Sequence, residues 1–169
     1  SGFHTGRLSG WVMCVWPNGY TSRSSVDAMF GLGDVRFFNR LAPLYDLVMP
    51  AADSHTLDAA VARASGPVDR IVDLGGGSGR ATIALEATER LVVDVSRPML
   101  DRARKRQADQ TGRRLPRSTD RGVVGPLSAV HGDARRLPLA DDSVDAAIVV
   151  DAFHHMPNHQ QVLEEAARV

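Results

Sequence analysis

Lysine is nearly missing from this chain: of 20 basic residues all but Lys105 are arginine, and 20 acidic residues bring the formal net charge to zero. A neutral chain has no global field to gather nucleic acid or an anionic membrane. Cysteine is as scarce, and the lone Cys14 excludes an intramolecular disulfide and makes no metal site by itself. Aromatic residues amount to 5%, which leaves few platforms for stacking bases. No apolar run approaches the roughly 20 residues needed to cross a bilayer. These absences leave a soluble, cytoplasmic protein as the expectation. Its 169 residues, 43% of them hydrophobic, suffice for one globular domain with a core.

The first 25 residues also lack acids, and their one apolar patch is Trp11-Val12-Met13-Cys14-Val15-Trp16. Arg7 before that patch is compatible with a secretory signal, but Pro17-Asn18-Gly19 is a turn and no small-x-small cleavage site follows. Residues 1–28 are therefore expected to be upstream sequence or a disordered extension. From Val35 the pattern turns helical, with Phe37, Phe38, Leu41, Leu44, Tyr45 and Val48 on one face and Pro43 and Pro50 limiting its length. A second helix is expected over 53–64, capped by Asp53 or Ser54 and stopped by Ser65-Gly66-Pro67. Residues 29–66 thus read as a helical lead-in, and 67–169 as the body of the domain.

That body is organised around Ile71-Val72-Asp73-Leu74-Gly75-Gly76-Gly77-Ser78-Gly79-Arg80. An apolar strand meets a glycine turn, and Ala81 to Ala87 reads as the helix that follows. Helix starts offer unpaired N–H groups, and bare glycines let a ligand approach the backbone. A dinucleotide turn wants G-x-G-x-x-G, but the position of its third glycine holds Arg80, which disfavours a nicotinamide oxidoreductase. The D-x-G-x-G-x-G arrangement of Asp73, Gly75, Gly77 and Gly79, with Gly76 between, resembles motif I of the class I S-adenosylmethionine-dependent methyltransferases. The resemblance implies that this turn packs against the methionyl part of the cofactor. It further implies an α/β Rossmann-like, doubly wound, mostly parallel sheet, here with its first four strands in the order 3-2-1-4.

Further stretches carry the resemblance. Leu91-Val92-Val93-Asp94-Val95 is a buried-type strand whose acid lies about 20 residues beyond Asp73, the distance at which a nucleotide-binding βαβ unit presents a carboxylate to ribose hydroxyls. With Ser96-Arg97-Pro98-Met99-Leu100 it is similar to the family's second-strand motif, which implies Asp94, Val95 and Met99 as cofactor contacts; the alternative for Asp94 is a helix-capping acid. Leu127 to Ala134 returns as a third strand ending in Gly-Asp-Ala, where Asp133 and the Ala134 N–H match the family's adenine contacts. Leu137 to Asp145 resembles its "LPF-x-D-x-SFD" link, with Leu139 and Val144 replacing phenylalanines, and leads into a fourth strand, Asp145 to Val150.

Phe38 to Asp46 is similar to the lead-in helix of the ubiquinone and menaquinone biosynthesis type, implying Tyr45 as part of a lid over the cofactor, with plain packing as the alternative. After strand four, Asp151-Ala152-Phe153-His154-His155-Met156 resembles the family's "HH" segment. Asp151 is implied near the cofactor, and His154 or His155 as general base toward an acceptor, with an ordinary pKa of about 6.5; the alternative is a packing or capping pair. The arginines around residues 102–121 are interspersed with Asp101, Asp109 and Asp120 and read as a solvated face, so no nucleic-acid partner is expected. No metal site is expected, because adjacent histidines seldom converge on one ion.

A helix follows strand four from about Gln160, whereas the family continues with three more strands. The expected function is methyl transfer from S-adenosylmethionine to a small, quinone-precursor or other lipophilic acceptor. The alternative is a truncated remnant that binds the cofactor without catalysis. An open fourth strand would also invite self-association through its edge.

Overall fold

The computed structural model describes the backbone of residues 11–15, 113, 118–119 and 122–123, and residues 57, 59, 61–64, 66–112 and 124–169 in full. The elements are β1 (Trp11–Val15), β2 (Arg70–Leu74), a 3-10 turn (Thr82–Ala84), β3 (Glu89–Asp94), α1 (Arg97–Arg113), β4 (Ser118–Thr119), β5 (Gly122–Val123), β6 (Leu127–His131), β7 (Ala146–Val150), a second 3-10 turn (Phe153–His155) and α2 (His159–Arg168). Five strands form one sheet in the order β1-β7-β2-β3-β6, and every pairing in it is parallel. Read from β6, the last four of these are strands three, two, one and four of the expected order.

Alternation along the strands sends side chains to both faces. Val72, Leu74, Leu91, Val93, Ala147 and Val149 pack with Val162, Ala166 and Val169 at the α2 end of the chain. On the opposite face Val92 packs with Leu100 and Ala103 of α1 and with Leu127, while Ile71 and Ile148 pack with Leu57 and Leu85. Helices on the two faces of a parallel sheet make it doubly wound. Arg90 is buried at 1% exposure inside β3, and its guanidinium donates to the carbonyls of Gly125 at 2.6 Å and Ile83 at 2.9 Å, so its charge lies among peptide dipoles.

The structure departs from expectation in two places. Trp11 to Val15, inside the stretch expected to lie outside the fold, pairs residue by residue with Ala146 to Val150. Tryptophan and valine suit a strand, and the pairing satisfies the edge of β7, so the premise for self-association through that edge falls. The segment after the glycine turn is a 3-10 turn of three residues in place of a helix over 81–87. Only residues 75–88 link β2 to β3, close to the minimum for a parallel crossover. The polar stretch before β6 continues α1 to Arg113 and contains the small antiparallel pair β4-β5. Tyr45, Asp53 and Ser54 lie outside the described residues.

Candidate functional site

The carboxyl ends of β7, β2, β3 and β6 bring Asp151, Asp73, Asp94 and Asp133 to one edge of the sheet, around the glycine turn. The turn is held by its own backbone: Gly75 N–H donates to Val93 O at 2.8 Å, and Gly79 N–H to Gly76 O at 2.9 Å. Gly75 and Gly77 have φ of 69° and 54°, where a side chain is strained. A Cβ on Gly75 would lie 2.5 Å from Met156 Cε and 2.9 Å from Ala152 Cβ, so this glycine is also where the turn meets the segment after β7. Gly79 faces inward, toward Ala103, Leu127 and Val92, and permits packing. Because the following helix is one 3-10 turn, a helix-dipole site at its start is not available.

Asp73 is fully buried behind the turn. Thr82 Oγ1 donates to its Oδ2 at 2.6 Å, and Oδ1 is buried without a partner. Gly76 is small enough to sit against this carboxyl, which is 2.6 Å from where a Cβ would be. Burial pushes the Asp73 carboxyl up to about 7, with the Asp94 charge adding to the rise and the Thr82 hydroxyl opposing it. Asp73 is thus held inside the fold, with the Thr82 hydroxyl on one oxygen and Gly76 against the carboxyl.

Asp94 stands at the front. Its Oδ2 accepts from Gly77 N–H at 3.0 Å and its Oδ1 from Ser96 N–H at 2.7 Å. Burial raises its pKa, while these two N–H groups and nearby His131 oppose the rise. Ser96 caps α1 through Met99 N–H, and Met99, 3% exposed, lies under Gly77 with its Cε 3.1 Å from the Cβ position. Next to Asp94, Val95 is 43% exposed, one of two large apolar side chains so exposed among the described residues. Asp133 sits in a tight turn whose Arg136 N–H donates to its carbonyl at 2.9 Å, and Arg135 grips its carboxylate, holding it below the usual carboxylate range. Ala134 beside it is buried.

After β7 the chain turns through Asp151, at φ 52° and half-buried, whose carboxyl is raised by burial against the charges of His154 and Arg80. His154 and His155 follow in the second 3-10 turn with ring centroids 3.8 Å apart. Phe153 stacks on His159 at 4.4 Å, tying this turn to the start of α2. Sequence reasoning missed Thr82 and Arg135, the two residues that hold Asp73 and Asp133. Thr82 lies nine positions beyond its partner and Arg135 only two, so the second was legible as a local acid–base pair.

A parallel sheet with a ligand crevice at its carboxyl edge, built on a glycine turn and strand-end acids, defines a nucleotide-type α/β binding fold. A family model described as a methyltransferase domain matches residues 72–169, and the chain belongs to the class I S-adenosylmethionine-dependent methyltransferases. It is 34% identical over 106 residues to a demethylmenaquinone methyltransferase of Mycobacterium sp. (strain KMS), a match covering 62% of this chain and 38% of that one. It is 31% identical over 106 residues to 27-O-demethylrifamycin SV methyltransferase of Amycolatopsis mediterranei, covering 60% and 34% respectively. Among solved structures, the YcgJ protein of Bacillus subtilis superposes with a TM-score of 0.55 at 27% identity, covering 69% of this chain and 46% of that one. The chain thus spans less than half the length of these relatives.

Proposed function

We propose that this chain forms the cofactor-binding part of a methyltransferase that moves a methyl group from S-adenosylmethionine to a small, lipophilic acceptor. The observation that supports it most is Asp94, whose two oxygens each take one backbone N–H and lie at the front of the glycine turn. A carboxylate offers about four lone-pair positions, so capacity remains for a vicinal diol such as that of ribose. Gly75 and Gly77 give the turn, along which the methionyl arm would lie, a left-handed backbone that glycine adopts without strain. Asp133 and the Ala134 N–H supply the acceptor and donor that adenine requires, with Val95 and Met99 as apolar neighbours. The carboxylates of Asp94 and Asp151 suit a ligand that carries a sulfonium and an ammonium.

Bound S-adenosylmethionine supplies an activated methyl group. The chain's residues have to hold donor and acceptor in line, exclude water and take the acceptor's proton. His154 and His155, next to Asp151 and across from Gly75, are the candidates for that base. The relatives whose names specify demethylmenaquinone and demethylrifamycin favour a lipophilic acceptor, a quinone precursor among them.

Calorimetric titration with S-adenosylhomocysteine and with NADH tests this reading. The expected result is binding of the first alone, weakened about 10- to 100-fold by Asp94→Ala, the worth of hydrogen bonds to a charged group. A folded chain that binds neither, or NADH alone, overturns it.

A further inference from the structure

Of the four strand-end carboxylates, Asp133 differs in its partner. Arg135 Nη2 donates to Oδ2 at 2.6 Å, Nε lies 3.0 Å from Oδ1 and 3.2 Å from Oδ2, and the Arg135 N–H donates to Oδ1 at 2.9 Å. These contacts use nearly all the acceptor capacity of one carboxylate. The backbone turn between the two residues is closed by the Arg136 N–H, so the fork is held against the acid by two residues of chain. Both side chains are about two-fifths exposed, at 39% and 40%, so the grip is open to solvent and reversible.

We propose that Arg135 is a built-in competitor at the adenine end of the site, closing over Asp133 in the free chain and giving up an oxygen when an adenine amino group binds there. The proposal rests on the cofactor reading above. A neutral amino group brings a single N–H to an oxygen that a charged guanidinium already holds, and the charged bond is the stronger. Exchange therefore subtracts from the affinity of any adenosyl ligand. The subtraction shrinks as salt screens the half-exposed pair. Cofactor affinity should then rise with ionic strength, although S-adenosylhomocysteine itself carries no net charge.

The full chain and Arg135→Met are titrated with S-adenosylhomocysteine at about 0.05 M and about 0.5 M NaCl, either side of the ionic strength at which screening reaches about 10 Å. At low salt Arg135→Met is expected to bind about two- to fivefold tighter, the span of an exposed ion pair. The parent chain should approach it as salt rises while the variant stays level, and Arg135→Lys, charged but without the fork, should fall between. Equal or weaker binding by a folded Arg135→Met overturns the proposal and leaves the cofactor reading standing, as does a parent chain whose affinity falls with salt. If neither parent nor variant binds at either salt, the cofactor reading fails and the competitor with it.

Discussion

The turn between β2 and β3 and the segment after β7 flank the same crevice and are built differently. In the first, main-chain groups carry much of the holding: Gly75 N–H bonds to Val93 O, the Gly77 and Ser96 N–H groups bond to the Asp94 carboxylate, Arg106 Nε donates to Ser78 O, and the bond from Thr82 to Asp73 is fully buried. In the second, residues 151–156 are all half-buried, Asp151 and Asn158 adopt left-handed backbone conformations, and ring contacts join the main-chain bonds of His155 N–H to Ala152 O and Met156 N–H to Phe153 O. A backbone-built turn depends little on the identity of neighbouring side chains. A side-chain-built segment can change with the acceptor. The two regions meet at Gly75, against Ala152 and Met156.

The largest effect should come from breaking the first region at Gly79. Valine there places a β-branched residue at φ 71° with its Cβ 3.2 Å from Ala103 and 3.3 Å from Leu127. Strain and overpacking together should cost about 2–6 kcal/mol in urea unfolding. A pH series on Asp73 sharpens the contrast next. Its folded pKa of about 7 lies above the ordinary 3.8, so between these values the folded chain keeps a proton that the unfolded chain has lost. Stability should fall as pH rises through that window, by a few kcal/mol in all, on the order of 4 at most. Asp73→Asn should flatten that slope and be the more stable chain at pH 8; the same slope in the variant would assign it to other groups.

The smallest stability effect belongs to the second region. Replacing His154 or His155 by glutamine should shift unfolding by about 1 kcal/mol or less and leave S-adenosylhomocysteine binding unchanged. In a chain that methylates an acceptor, the variant lacking the base should lose turnover. Turnover unchanged in both would return the pair to packing.

Much of the first region was legible in sequence because its chemistry is local. The glycine spacing, Asp73 and Asp94 at strand ends, and Ser96 before Pro98 each specify a backbone event within a few residues. The truncated helix was not legible, since what shortens it is the distance the chain must span between β2 and β3. Trp11 to Val15 was misread for the complementary reason: a short apolar patch is a strand only when an edge is open to receive it, and that edge lies 135 residues further on, at Ala146 against Trp11.

The sequence by itself determined the glycine turn and the four strands around it, because apolar periodicity and turn chemistry act over neighbouring residues, and the resemblance those motifs carry implied the family and the 3-2-1-4 order. Tertiary structure alone decided that the Asp73 carboxyl is fully buried against Thr82, that Asp94 meets the Gly77 N–H, and that the edge of β7 is paired. These depend on burial and on which charges face one another, and neither exists until distant segments pack.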